Sequence, residues 1–215
     1  MESKLLDAVK YEMERGVTGI KYTAKFGNVR INSRTVREQD KRCEVYTEQY
    51  KDGEKGNMDH VFVNTETNTY YDYSDTIGEY QWVKQNFPEE ATIGHIAEHT
   101  NFCELLVRMY EEGMEEKAEG EYMYESTIVS NGVITTLREL FEDDDGSFIK
   151  DIEKMTGRVK IDGVNTGLEK GVIQLKTEAY TLKLSFEFLR PDSVQIPNDV
   201  KQQATDLEEL SKSML

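Results

Sequence analysis

Two different spacings of hydrophobic residues follow one another near the start of the chain. Leu6, Val9 and Met13 recur at steps of three and four, which predicts an N-terminal helix over residues 3–15. Within residues 20–26, apolar and polar side chains alternate strictly, which predicts a half-buried strand. The change of period over so few residues indicates a chain that mixes helices with strands.

The first group of strands is predicted over residues 17–84 as a β meander. One of its strands, Ser33–Tyr50, is long and polar, and the Asp52-Gly53 dipeptide after it is a turn signal. A hairpin and a short closing strand complete the meander. The predicted strands are 20–26, 33–50, 58–64, 69–73 and 80–84.

The longest helical pattern of the chain covers residues 93–117. Its apolar residues form a face wide enough to be buried, which predicts a central helix. A second group of strands is predicted within residues 121–189, with a short helix at 135–141. A C-terminal helix is predicted over residues 198–214, because the apolar residues there again recur at helical spacing.

Runs of strands joined by short turns, with helices between the runs, predict an α+β fold with an antiparallel sheet. The strands have one polar and one apolar face, so one side of the sheet should face water. The helices have no other apolar surface to bury against and must cover the apolar side. We therefore expect a single domain over residues 1–215, in which a long, curved antiparallel sheet wraps over two or three helices.

The composition is acidic and aromatic. The 215 residues carry a formal net charge of −16, and 10% of them are aromatic, which is too many for a disordered chain. The acidic balance predicts that the protein does not bind nucleic acid, because no basic patch is expected to release counterions. It also argues against electrostatic docking on anionic lipid.

Neither targeting signals nor cysteines indicate in which compartment the protein is located. No apolar run approaches the roughly 18 residues that span a bilayer. We identify no signal peptide in the first residues, which fits a cytosolic protein and equally a mature secreted domain. Cys43 and Cys103 are expected to be buried thiols, although the sequence leaves their pairing in a disulfide open.

The order of elements resembles that of the lipoprotein-carrier superfamily, the LolA/LppX-like half-barrels. The shared order is a leading helix, a β meander, a central helix and further strands. Residues 78–84, GEYQWVK, are similar to the glycine-then-tryptophan strand before the central helix in Gram-positive lipoproteins of this superfamily. Residues 191–200, PDSVQIPNDV, are similar to their closing V-x-I-P-x-x-V segment. The chain lacks a lipid-anchoring cysteine near its N terminus and continues beyond the usual end of the family.

The resemblance implies an extracytoplasmic binding domain that is tethered to the membrane by a lipid anchor absent from this sequence. It implies a half-barrel whose concave face holds a lipid or another hydrophobic ligand, with no enzymatic activity and no cofactor. Burying each acyl methylene would contribute about 0.8 kcal/mol. The ligand contacts would be the inward apolar residues Ile20, Tyr22, Phe26, Trp82, Phe102, Leu105, Met109, Leu184 and Phe186.

A second hypothesis keeps the fold but fills its interior. The protein would then be a cell-envelope interaction scaffold, and its polar strand 33–50 and negative charge would form the surface for a protein partner.

A third hypothesis rests on the segment His95-Ile96-Ala97-Glu98-His99, which matches the H-x-x-E-H signature of some zinc peptidases. Two histidines four residues apart on a helix can bind one Zn²⁺, and the glutamate can activate a bound water. Glu178 is the candidate third ligand. A histidine in the apolar stripe of a helix is more often a core or rim residue, so this zinc hydrolase is a minor alternative.

Two further clusters are explained by structure better than by chemistry. The acidic run Asp143-Asp144-Asp145-Gly146-Ser147 lacks the complete calcium-loop spacing, which favours a surface turn. An aromatic cluster includes Tyr71, Tyr73 and Trp82, and is expected to pack across the sheet. We expect Tyr71 and Tyr73 to point at the helices.

Overall fold

Five helices and twelve strands make up the computed structural model, which describes residues 3–74, 80–88, 91–93, 99–163 and 167–213. The helices are α1 (Lys4–Glu14), α2 (His99–Glu111), α3 (Asn131–Leu140), α4 (Asn198–Gln203) and α5 (Leu207–Ser213). The strands are β1 (Val17–Phe26), β2 (Val29–Glu38), β3 (Arg42–Lys51), β4 (Glu54–Asn64), β5 (Thr69–Ser74), β6 (Gln81–Asn86), β7 (Glu115–Ala118), β8 (Glu121–Ser126), β9 (Ile152–Ile161), β10 (Leu168–Thr177), β11 (Thr181–Leu189) and β12 (Thr205–Asp206). None of these helices is long and apolar enough to cross a membrane.

All twelve strands belong to one open sheet with the order β12-β6-β5-β4-β3-β2-β1-β11-β10-β9-β8-β7. Every pairing is antiparallel except the short parallel pairing of β12 with β6. Strand β1 pairs with β11, so the first and the last long strands join the two predicted strand groups at the centre. The α+β class and the antiparallel sheet are confirmed.

The main core lies between one face of the sheet and helices α1, α2 and α3. Apolar residues that alternate along β1 and β8–β11 point at these helices, and the polar residues between them point away. Phe102 of α2 lies between the rings of Tyr22 and Phe186, with centroid distances of 5.4 and 5.1 Å. Burying an aromatic or aliphatic side chain of this kind contributes about 1.5–3 kcal/mol.

The buried face of α1 differs from the predicted one. Leu5, Ala8, Val9 and Glu12 are buried, whereas Met13 is 52% exposed. The adjacent leucines at positions 5 and 6 allow two helical stripes in the sequence, and packing against α2 and β10 selects the stripe that ends at Glu12.

Glu12 fastens α1 to the end of the sheet. Its carboxylate is fully buried and lies 2.7 Å from the guanidinium of Arg190, and it accepts a hydrogen bond of 3.1 Å from the backbone N–H of Leu168. Arg190 also donates to the Leu168 carbonyl at 2.6 Å. Burial raises the pKa of Glu12 above its ordinary value, although the positive charge of Arg190 opposes this rise.

Two predicted boundaries are wrong. The long strand predicted at 33–50 is two strands, β2 and β3, because the chain turns at Gln39, which has a φ of 44°. The central helix was predicted to reach residue 117 but ends at Glu111. Gly113 then takes a φ of 108°, a left-handed conformation that ends the helix, and β7 follows.

The C-terminal helix predicted at 198–214 is also wrong, because it is divided into α4, β12 and α5. This segment crosses to the sheet face opposite the three main helices. There Ile196 and Val200 bury Phe62 and Tyr71, with Trp82 packed beside them. The apolar residues of the segment follow this sheet surface rather than one continuous helix face.

Both cysteines are free and buried, in two different clusters. Burial raises the pKa of Cys43 to about 12 and moves the pKa of Cys103 in the same direction. Both thiols are therefore protonated and unreactive at neutral pH.

Gly171 of β10 is required by a close contact with Phe186, its partner in register on β11. A Cβ atom at this position would lie 2.4 Å from Cζ of the Phe186 ring and 2.8 Å from the backbone oxygen of Arg158. We expect Gly171→Ala to lower the free energy of unfolding by about 1–3 kcal/mol, as overpacking does. In the matched variant Gly157→Ala, the new Cβ would meet Cε of Met109, the end of a flexible side chain that can move. Urea unfolding of both variants should show the larger loss at Gly171, and equal losses would contradict this explanation.

Candidate functional site

Most of the residues predicted to contact a hydrophobic ligand lie in the main core. Eight of the nine lie on the helix-covered side and pack against one another: Ile20, Tyr22, Phe26, Phe102, Leu105, Met109, Leu184 and Phe186. All except Phe26 are buried. Trp82 does not join them, because its register places it on the opposite face of the sheet. These side chains therefore pack in the core between the sheet and the helices.

The predicted metal ligands cannot be compared with the structure. His95 and Glu98 lie outside the described residues, and so does the side chain of His99, the first residue of α2. Within the described part of the chain, no group of three or more His, Cys, Asp or Glu side chains is placed to hold a metal ion.

The acidic run at residues 143–147 forms a turn. The carboxylate of Asp143 accepts hydrogen bonds from the backbone N–H groups of Phe148 and Ile149, at 3.0 and 2.6 Å. Asp143 therefore shapes the loop after α3, in agreement with the predicted turn.

A concavity of about 700 Å³ lies on the sheet face opposite α1–α3. Residues from seven neighbouring strands line it, in the sheet order β3-β2-β1-β11-β10-β9-β8. Those whose side chains face it by alternation include Lys21, Thr23, Asn32, Arg34, Tyr46, Glu121, Arg158, Lys160, Lys170, Val172, Ser185 and Glu187. We call this concavity the trough.

The floor of the trough is one row of residues across five strands. Asn32, Thr23, Ser185, Val172 and Arg158 are successive partners in register from β2 to β9. The first four side chains are small or neutral. Because neighbouring strands are about 4.8 Å apart, the row is about 19 Å long.

A row of mostly basic residues runs along each side of this floor, two residues away on every strand. One row contains Arg34, Lys21, Glu187, Lys170 and Lys160 in register. The other contains Arg30, Lys25 and Lys183, then the neutral Gln174 and Thr156, and it lies beside the lining of the trough. Each row lies about 7 Å from the floor, since a strand rises about 3.3 Å per residue.

Several of these cations are held by carboxylates. Lys160 and Lys170 both contact Glu169, at 3.0 and 3.1 Å, and Lys21 contacts Glu187 at 3.0 Å. The hydrogen bonds from Lys160 and Lys170 lower the pKa of Glu169, and Glu169 in turn raises the pKa of Lys160.

Arg158 in the trough and several cations beside it have no carboxylate partner within the described part of the chain. Among the described residues, no carboxylate lies within 4.0 Å of Arg158, Lys183 or Lys25. Arg30 lies over the ring of Tyr50, 4.2 Å from its centroid. These side chains can interact with an anion without breaking an existing ion pair.

Acidic groups stand at both ends of the trough. At the β3 end, Glu48 accepts hydrogen bonds from Lys55 at 2.6 Å and from the hydroxyl of Tyr46 at 2.5 Å, and these bonds lower the pKa of Glu48 to about 2. At the β8 end, Glu121 and Glu125 face the same side of the sheet. The positive surface is therefore confined to the five central strands.

The trough contradicts the premise that this acidic protein has no basic patch. Ten lysines and arginines face the open side on β2, β1, β11, β10 and β9, in a chain of formal charge −16. They are Lys21, Lys25, Arg30, Arg34, Lys154, Arg158, Lys160, Lys170, Lys176 and Lys183. Net charge averages over the whole surface, so it hides a local excess of one sign. The basic patch could have been found by counting the charged residues on the polar face of each predicted strand.

Beyond the trough, the row through Arg34 and Tyr46 continues as an aromatic cluster. His60, Tyr73 and Trp82 follow in register, and the ring of His60 lies 5.0 Å from Tyr46 and 5.1 Å from Trp82. Tyr73 therefore points away from the three main helices, which corrects the prediction for Tyr71 and Tyr73. The aromatic cluster packs next to the C-terminal segment.

No protein-family model matches the chain, and no curated protein does. Among solved structures, the chain is similar to a β-barrel-like protein of the domain of unknown function DUF1849 from Brucella abortus. The two are 8% identical, with a TM-score of 0.25, and the match covers 81% of this chain and 98% of the other.

Proposed function

We propose that the protein is a non-enzymatic binding domain whose helices and covered sheet face form a filled scaffold, and whose trough takes the ligand. The observation that carries this proposal is the contrast between the two faces. One is packed with the side chains that were expected to hold a ligand, and the other opens a concavity of about 700 Å³. Ligand sites in proteins usually measure about 300–1,000 Å³.

The proposal adopts the second hypothesis, a scaffold with a filled interior, and changes its binding surface. The polar strand 33–50 contributes Arg34 and Tyr46 to the trough, but it does so as part of a basic surface rather than an acidic one. The half-barrel fold and the extracytoplasmic, membrane-tethered location belong to the same proposal, and the order of elements supports them. Binding of a lipid between the sheet and the helices is the competing prediction.

A bulky label on the trough floor tests this proposal. Ser185 is half-buried on the floor, and Ser185→Cys offers an accessible thiol there, whereas Cys43 and Cys103 are buried and protonated. We expect maleimide labelling at 185 to remove any small-molecule adduct that native mass spectrometry finds on the freshly purified protein. Lys150→Cys, labelled in the same way on the exposed loop before β9, is the control and should keep the adduct.

Two outcomes would contradict the proposal. A lipid-sized adduct that survives the label at 185 would place the ligand away from the trough and favour a site beneath the helices. A clean mass for the unlabelled wild type would show that no ligand is held tightly through purification.

A further inference from the structure

We infer that the trough binds a compact, multiply charged oxyanion of the phosphate type, such as a molecule that carries two or three phosphate groups. This inference rests on the proposed function, since it names the ligand class for the same surface. Three independent features of the trough support it: its charge, its hydrogen-bond donors and its length.

Basic side chains stand on both sides of the floor row, on one side within the trough and on the other side next to it. An anion on the floor would lie between two rows of residues. One row is Arg34, Lys21, Glu187, Lys170 and Lys160, in which each cation also contacts a carboxylate. The other row is Arg30, Lys25 and Lys183, which stand beside the trough. Arg158 ends the floor row and has no acidic partner among the described residues. An arginine guanidinium can donate two parallel hydrogen bonds to a phosphate, and such charge-assisted bonds are stronger than neutral ones.

The floor itself offers hydrogen-bond donors. The hydroxyl of Thr23 donates to the side-chain oxygen of Asn32 at 3.1 Å, which leaves the amide nitrogen of Asn32 to donate outward. The hydroxyl of Ser185 has no hydrogen-bond partner among the residues that the structure describes. Hydroxyl and amide donors between cations match the several acceptor oxygens of a phosphate group.

The length of the trough limits the ligand. The basic surface extends over five strands, about 19 Å, and carboxylates stand at both ends. A long polyanion would extend over Glu44 and Glu48 on one side or over Glu121 and Glu125 on the other. The formal charge of −16 would also repel it at low ionic strength. The geometry therefore favours a short oligoanion over a polymer such as nucleic acid.

Titration calorimetry with pyrophosphate and tripolyphosphate tests this inference directly. We expect both anions to bind the wild type, with affinity that falls as salt is added. Arg158→Glu should raise the dissociation constant at least about tenfold, because it removes a charge-assisted contact and adds repulsion. Lys150→Glu makes the same change of charge on an exposed loop and should alter the dissociation constant less than about twofold. Equal affinities for these two variants would overturn the inference.

A second variant predicts a gain of affinity, which a damaged fold would not produce. Glu187 stands within the basic row and holds Lys21 at 3.0 Å, and both side chains are about half exposed. Glu187→Gln removes this competing carboxylate, so we expect pyrophosphate to bind several-fold more tightly. Weaker or unchanged binding in Glu187→Gln would count against the inference.

The phosphate group could belong to a free molecule or to a lipid headgroup, and a third measurement distinguishes them. Sedimentation with vesicles that contain a phosphomonoester lipid should deplete the wild type but not Arg158→Glu if the source is a headgroup. Binding of soluble tripolyphosphate without vesicle binding indicates a free ligand. If neither pyrophosphate nor tripolyphosphate binds and the vesicles do not deplete the protein, the inference is overturned. In that case, loss of the native adduct on labelling at residue 185 would still support the trough as the binding face.

Discussion

Phe102→Ala should lower the free energy of unfolding by about 3–5 kcal/mol, the usual range for removal of a fully buried aromatic ring. Phe102 is 0% exposed, and its ring lies between those of Tyr22 and Phe186 at the centre of the main core. The neighbouring strands and helices cannot collapse completely onto the vacated space, so a cavity adds to the lost burial. Urea unfolding monitored by circular dichroism would measure the change.

The same variant distinguishes a filled core from a lipid pocket. If Phe102 lined an empty or lipid-filled cavity, Phe102→Ala would change ligand content and leave the stability of the ligand-free protein nearly unchanged. Phe102→Leu is the control, because it stays apolar and retains more of the volume, and should cost clearly less than the alanine variant. A loss below about 1 kcal/mol for Phe102→Ala would contradict the filled core.

The second large effect is expected at Glu12. Glu12→Ala would leave the guanidinium of Arg190 without its carboxylate and the backbone N–H of Leu168 without its acceptor. Breaking a buried ion pair by removal of one partner costs about 3–5 kcal/mol. We expect about 3 kcal/mol, at the low end, because the Arg190 side chain is 28% exposed and can reach water. Thermal and urea unfolding would measure the loss.

Glu12→Gln is the matched control, since it keeps a side-chain oxygen for Leu168 and removes only the charge. It should cost less than the alanine variant. If the two variants were equally destabilised, the negative charge, and not the hydrogen bond, would fasten α1 to the sheet.

The pH dependence of these variants has a defined sign. Burial raises the pKa of Glu12 above its ordinary value, so the folded protein binds a proton there more readily than the unfolded chain does. The Glu12 contribution to stability therefore grows as the pH falls from neutral towards the ordinary carboxyl pKa. We expect the stability difference between wild type and Glu12→Gln to increase over that range, and a decrease would contradict the raised pKa.

The type and order of the main helices and strands could largely be predicted from local pattern, whereas their number and their ends could not. The alternation within residues 20–26 and the turn at Asp52-Gly53 are local features, and both are found where they were predicted. The break at Gln39 has no glycine or proline to signal it. The predicted C-terminal helix is interrupted where Thr205 and Asp206 pair with Val83 and Lys84 of β6, which are far away in the sequence.

The candidate site could be predicted even less well from local sequence pattern. Each strand taken alone has a polar face with one to three cations, which is ordinary for a wet sheet surface. Only the pairing of β1 with β11 brings Lys21 and Thr23 next to Ser185 and Glu187, more than 160 positions later in the chain. Eight of the nine residues expected to hold a ligand lie on the apolar side, whereas Trp82 lies on the other face. Whether that side is filled or hollow depends on the fit of the helices.

The sequence by itself determined the α+β class, the antiparallel strands and the apolar inner face of the sheet. These properties follow from hydrophobic periodicity, which can be read within a few neighbouring residues. The tertiary structure decided which face is filled, where the C-terminal segment lies and where positive charge collects on an acidic protein. Those properties depend on register and packing between distant segments, and a linear pattern does not contain them.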